Sequence, residues 1–419
     1  MPIPRLACAA AALAAVLLAS QAAHALGPDY VPAWEPKEWV RGGANLLGHE
    51  GADRILAFDH YGRAGIAYVS TDTHLYYCER LAGIGWNRLP FGDTLTYTCP
   101  SLAYDRYERP GMSVRATIES YHDSVWYTHV GASGWGGSTV GPGGSQTALA
   151  YDLYGRPAVV WRDEFLGDHG VRYAMDTDND GDWTDETVET IYGDAACAWP
   201  SLTFDPLNRP MVAFFDHDAS GLWFAMHDER FGWVNRFLDP YALGHPSLAV
   251  NPVTGHPAIA YGSAAHIRYV EWDGKKWNPT TLASPWGNPT LYPSLAFDPA
   301  DGHPAIAFYE GTTGGMTLDW EAQMLRFAWF DGETWQMQTV DYEGDVGLCP
   351  SLAFNEYGNG WPAIAYFDIN GNLWYIEDPP VVPEPATLAL VAAGAAAALA
   401  ARRREARPGS DQDVIEKEN

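Results

Sequence analysis

Between residues 176 and 186 the chain places acids on alternate positions, Asp176, Asp178, Asp180 and Asp182, with Gly181 among them and Asp185 and Glu186 just beyond. Carboxylates at this spacing around a glycine turn can converge their oxygens on one point. That suits a hard cation such as Ca2+, which takes roughly six to eight oxygen ligands. The alternative use of the same residues is a solvated acidic turn. A second set of acids, Asp163, Asp216, Glu310 and Asp368, falls at equivalent points of a repeat, with Arg115 and Arg162, Trp199, Trp286, Tyr292, His122, His169 and His217 near it in sequence. Carboxylates, imidazoles and aromatic rings around one opening can bind a sugar or a cation. Two carboxylates at a set separation across a cleft are also what a glycosidase requires. The simpler use of repeated acids is to cap strand ends or pair with arginines. No glycine-rich phosphate loop, nucleophile elbow or zinc-ligand spacing occurs.

The alternating acids resemble a calcium loop of the EF-hand type, with Gly181 at its sixth position. Its twelfth position is Thr187 instead of glutamate, so the ligand set implied would draw on Asp185 or Glu186. The resemblance implies a structural calcium ion. Asp273-Gly274 before Trp277 and Asp331-Gly332 before Trp335 resemble the end of the sialidase Asp-box, without its leading serine and without an accompanying arginine triad.

The elements that must position these residues come from a repeat. Pro-Ser-Leu-Ala, an aromatic and an acid recur at Pro100–Asp105, Pro293–Asp298 and, with small changes, at 200–205 and 350–355. Degenerate copies end at Asp59, Asp152 and Asn251. Anchored on Phe58, Tyr104, Tyr151, Phe204, Val250, Phe297 and Phe354, the steps are 46, 47, 53, 46, 47 and 57 residues. Each copy holds segments of strand character: the anchor, a β-branched and aromatic run such as Ala258–Tyr261, a third run such as Leu222–Ala225, and a fourth opening on a tryptophan (Trp86, Trp135, Trp183, Trp233, Trp277, Trp335). Seven copies of this length predict an all-β, seven-bladed β-propeller. The seventh copy lacks a tryptophan strand. Trp39, 19 residues before Phe58, stands at the interval the others use. The predicted ring is therefore closed by an N-terminal strand, which removes exposed sheet edges. The four acids then lie at one mouth, where the second strands end, and the alternating acids lie on the opposite face.

The two ends have other work. Arg5, the apolar run Leu6–Leu18 and Ala23-His24-Ala25 read as a signal peptide cleaved after Ala25. Residues 26–36 then serve as a linker, 37–378 as the propeller and 379–385 as a proline-rich linker. The apolar run Ala386–Ala401 reaches about 24 Å as a helix, enough for a brief membrane anchor. Arg402, Arg403 and Arg404 follow it, before a charged tail over 405–419. With Pro383-Glu384-Pro385 in front, this end resembles the PEP-CTERM sorting signal. The resemblance implies recognition of Pro383, Glu384 and Pro385 by a membrane-embedded exosortase, with Arg402–Arg404 as the stop cluster. It also implies export through the inner membrane to the cell surface or extracellular matrix.

Basic residues number 25 and acidic ones 53, a formal charge of -28. The segments at the two ends are balanced, so that charge belongs to the body, which repels nucleic acid and anionic polymers. Cations, neutral glycans and basic partners suit it. Four cysteines follow the leader, Cys78, Cys99, Cys197 and Cys349; their spacing chooses no pairing over buried thiols. The function read from these features is an exported binding and interaction scaffold, possible ligands being an extracellular glycan or a protein partner. The alternative is a carbohydrate-active enzyme, a glycosidase or lyase using carboxylates at the mouth.

Overall fold

The structure is a computed structural model that describes residues 30–378, apart from 47–53, 92–94, 119–121, 132–133, 164–169, 179, 181–182, 184–187, 194–196, 264–265, 284–289, 312–322 and 358–359. The described residues form seven antiparallel sheets of four strands. Blade 1 is built from Leu56–Phe58, Ala64–Val69, Leu75–Leu81 and Gly85–Pro90, and blades 2 to 6 repeat its order. Their inner strands are Thr96–Tyr104, Ser145–Tyr151, Cys197–Phe204, Ser247–Val250 and Thr290–Phe297. Blade 7 takes Val346–Phe354, Pro362–Asp368 and Leu373–Glu377 from the end of the ring, and its outer strand, Glu38–Arg41, from the start. The propeller and its N-terminal closure are as the repeat predicts.

The repeated motif has a physical reason. Its serine hydroxyl accepts the leucine amide of the next blade: Ser101 from Leu149 at 3.1 Å, Ser201 from Leu248 at 3.0 Å, Ser247 from Leu295 at 3.0 Å, Ser294 from Leu352 at 2.9 Å. Ser351 accepts from Leu56 at 3.1 Å and so joins the last blade to the first. The acid that ends the motif holds the turn to the second strand. Asp59, Asp105, Asp152 and Asp205 each accept two backbone amides through Oδ1 and bind the arginine four residues on through Oδ2. Second strands such as Ala64–Val69 and Pro304–Glu310 are buried at every residue because neighbouring blades cover both faces. Glycine is required at Gly111, where a Cβ would stand 2.1 Å from the Tyr151 hydroxyl.

Blade tryptophans stack on the preceding blade: Trp135 on Tyr77, Trp233 on Tyr173, Trp277 on Phe224, Trp335 on Tyr269. In blade 7 Trp39 lies in the closing strand, as its interval predicts. It pairs with Trp374 there, but it is 54% exposed. Trp34 does the stacking, edge-on to Phe327 at 5.1 Å. Residues 30–36, expected as linker, are part of this closure. Tyr30 donates to Asp378 Oδ2 at 2.6 Å, the Ala33 amide to Oδ1 at 2.9 Å, and Tyr30 also meets Trp329. The leader, the sorting segment and the tail lie outside the described residues. Cys78, Cys99 and Cys197 are buried and Cys349 half-buried, and burial pushes the Cys78 thiol up to about 12.

Candidate functional site

Each inner strand runs from an inlet face to an outlet face, and the loop from second to third strand returns to the inlet. The repeated acids stand there, and the structure gives most of their oxygens local work. Asp368 accepts the Asn370 and Asn372 amides, the Asn372 side chain and the Trp374 indole. Asp163 binds Arg172 at 3.0 Å, and Glu310 binds Arg326 at 3.2 Å, both members of the second pair being buried. Burial, opposed by Glu310, lowers the Arg326 pKa. Ser263 accordingly caps the same turn in blade 5 through the His266 carbonyl. Asp216 differs. Its Oδ1 accepts the Asp218 and Ala219 amides, while the buried Oδ2 has no hydrogen-bond partner among the described residues. Arg115 pairs with Asp123 and is thereby tied to its own hairpin; Arg162 stands opposite Ser145 of the inner strand.

Sequence reasoning missed the arrangement just inside this mouth. The residue before the motif proline takes a left-handed conformation in blade after blade: Cys99 (φ 53°), Gln146 (58°), Trp199 (52°), His245 (52°), Tyr292 (53°) and Cys349 (46°). This conformation is uncommon for residues with a Cβ, and here it accompanies a bulge of the inner strand. Equivalent side chains of neighbouring blades meet at these positions. The Trp199 and His245 rings lie 4.1 Å apart and those of His245 and Tyr292 4.3 Å, all three half-buried; the exposed His217 ring is 5.1 Å from Trp199. Gln146 Oε1 accepts the Trp199 amide, which fixes the arc to blade 3. Burial, with a smaller effect of His217, pushes His245 down to about 3, so this imidazole is neutral and offers both a donor and an acceptor. The shielded Trp199 Nε1 has no hydrogen-bond partner among the described residues.

Deeper in the bore, Arg54 occupies the place of the motif proline and donates to the Leu248 carbonyl of blade 5 across the axis. Its departure from proline was the available signal. Beyond it a cavity of about 640 Å3 opens toward the outlet face, lined by Phe58, Tyr104, Tyr151, Asp152, Glu108 and Tyr357 among others.

Also on the outlet side, after the third strand of blade 3 (Gly170–Met175), Asp176, Asp178 and Asp180 bring one carboxylate oxygen each within 4.8 Å of the others. Asp176 is fully buried and its Oδ1 accepts the Asp180 amide at 3.3 Å. Asp182, Asp185, Glu186, His169 and Trp286 lie outside the described residues, as do Pro383, Glu384, Pro385, Arg402, Arg403 and Arg404; His122 begins the third strand of blade 2. The turns resembling the Asp-box are hairpin caps: Asp273 accepts the Lys275 and Lys276 amides and Asp331 those of Glu333 and Thr334.

Residues 381–404 match the PEP-CTERM protein-sorting motif. This chain carries an exosortase sorting signal. Such a signal means export and placement outside the cytoplasm by that route. The PEP-CTERM chain matches no curated protein. Among solved structures, the BP39L lectin of Burkholderia pseudomallei aligns at TM-score 0.56 and 14% identity, covering 79% of this chain and 99% of its own. An ulvan lyase of a polysaccharide lyase family, in a saccharide-bound form, aligns at 0.57 and 11%, covering 81% and 95%. An ancestral glycoside hydrolase enzyme aligns at 0.51 and 11%, covering 81% of this chain and 51% of its own. At such identities these likenesses establish a shared fold.

Proposed function

We propose that the protein is a non-catalytic, exported scaffold that binds neutral glycan at the inlet mouth of its propeller, on the surface or in the extracellular matrix. The observation that carries this reading is the arc of Trp199, His245 and Tyr292, aromatic faces with a neutral imidazole between them at the bore entrance. Aromatic faces stack on the C–H faces of sugars, and a few polar groups beside them set orientation. Asp163, Glu310, Asp368, Arg115 and Arg162 frame the mouth and hold its hairpins. In this reading Trp199→Ala weakens binding in a glycan-array or calorimetric assay by about tenfold or more; undiminished binding by the folded variant would refute the site.

A carbohydrate-active enzyme is the second reading, favoured by the partnerless Asp216 oxygen. It predicts that Asp216→Asn abolishes depolymerisation of a bound polysaccharide, whereas a scaffold leaves the polymer intact with either residue.

Sorting rests on the C-terminal motif. Glu384→Ala, in a host with an exosortase, should leave the chain unprocessed in the membrane fraction; normal release of that variant contradicts the assignment of Glu384.

Calcium is proposed as a structural ion at Asp176, Asp178 and Asp180, with Asp182, Asp185 or Glu186 completing its ligands. Three carboxylates gathered around one buried member repel one another, and a divalent cation relieves that repulsion. At a hundredfold excess over Kd, binding to the folded state alone stabilises it by about 2.7 kcal/mol. Calcium should therefore raise Tm and Asp178→Ala should remove most of the rise; a Tm indifferent to calcium and chelator would leave a solvated acidic turn.

A further inference from the structure

The outlet face carries a feature that neither the sorting signal nor the inlet mouth uses. Its turns between inner and second strands present equivalent side chains outward, and in blades 7, 1, 2 and 3 these are Tyr357, Tyr61, Tyr107 and Tyr154, exposed by 62, 69, 58 and 61%. The rings are held as plates. Arg63, Arg109 and Arg156 lie over Tyr61, Tyr107 and Tyr154 at 5.3 Å each, and each guanidinium is fixed by the buried aspartate of its own turn. Neighbouring turns are tied together: the His60 amide and ring bind Glu108 of blade 2, the His60 ring meets Tyr357 of blade 7, and Asn208 of blade 4 donates to Asp152 of blade 3. One of the four rings, Tyr357, also lines the outlet cavity of about 640 Å3.

We propose that this crown is a carbohydrate site distinct from the inlet mouth, taking neutral polysaccharide. Four equivalent plates at successive blades suit a polymer with a repeating face. Arg63, Arg106, Arg109, Arg156 and Glu108 lie among the rings, whereas the core of a protein interface is depleted of charge. Arg63, Arg109 and Arg156 are each neutralised by an aspartate, Arg106 also lies over Tyr107 at 4.7 Å, and a chain of charge -28 disfavours anionic polymers. Ties between blades preorganise the plates, which limits the ordering cost of binding. Arg54 crosses the bore between the two mouths and makes them separate sites. The crown does not depend on the inlet arc for its argument.

The test is affinity electrophoresis of the mature chain in gels containing galactomannan, dextran or hydroxyethylcellulose, with alginate as the anionic arm, all in the Trp199→Ala background to silence the inlet. At least one neutral polysaccharide should retard this protein. Adding Tyr61→Ala, Tyr107→Ala and Tyr154→Ala should weaken that retardation at least tenfold, while the three matching Tyr→Phe changes should preserve it. A folded triple-alanine variant that migrates unchanged, retardation by alginate alone, or no retardation of the Trp199→Ala protein would each overturn the proposal.

Discussion

Removing residues 30–41 should lower the Tm of the propeller by about 7 °C, corresponding to a loss on the order of 5 kcal/mol. The segment supplies the outer strand of blade 7, the Trp34 contact with Phe327, the Lys37–Asp341 pair at 2.8 Å and the Glu38–Arg80 pair. Its loss also strips Asp378, 2% exposed, of the Tyr30 and Ala33 donors. Burial already raises the Asp378 pKa against those two hydrogen bonds, so the orphaned carboxyl is penalised further. Opening the ring exposes the edge of Leu373–Glu377 as well. Thermal unfolding of the truncated chain checks this; an unchanged Tm would show that closure contributes nothing.

Asp152→Ala should cost about 3–5 kcal/mol, the range for breaking one side of a buried charged pair. Its carboxylate accepts the Tyr154 and Arg156 amides at 2.9 and 2.8 Å, the Arg156 guanidinium at 2.8 and 2.7 Å, and Asn208 of the next blade at 3.1 Å. Burial pushes the Asp152 carboxyl up, but the hydrogen bonds from Arg156 and Asn208 outweigh it and leave the pKa lowered. A pKa lower in the folded state gives stabilisation that is complete above the unfolded carboxylate value of about 3.9 and is lost as pH falls through the folded one. The variant should therefore be less stable at pH 7, with the gap to wild type closing in acid. Denaturant titrations at the two pH values measure both effects, and a gap that widens in acid would contradict the assignment.

The ring was legible because a propeller writes its fold as a period. The serine that receives the next blade's amide recurs in five blades and the aspartate that ends the motif in five, and the aromatic anchor and spacing they share mark the others. The interval to Phe58 pointed to Trp39, and nothing in the spacing marked Trp34. Which of the two met Phe327 depended on how residues 30–36 pack. Asp163, Asp216, Glu310 and Asp368 each end a second strand, yet sequence gives no hydrogen bonds and could not separate the turn cap Asp368 from the partly unsatisfied Asp216. Trp199, His245 and Tyr292 share a position before the motif proline, but a left-handed backbone at non-glycine residues has no compositional mark. Tyr61, Tyr107 and Tyr154 likewise stand in plain view two residues after each motif acid, and only the geometry of the turn sends their rings to solvent.

The most direct test is one incubation of the mature chain with a panel of neutral glycans and polysaccharides, reading binding and polymer length together. Saturable binding to at least one member, with its length unchanged, is the predicted result; a panel that shows no binding, or a bound polymer that shortens with time, would contradict a glycan-binding, non-catalytic propeller.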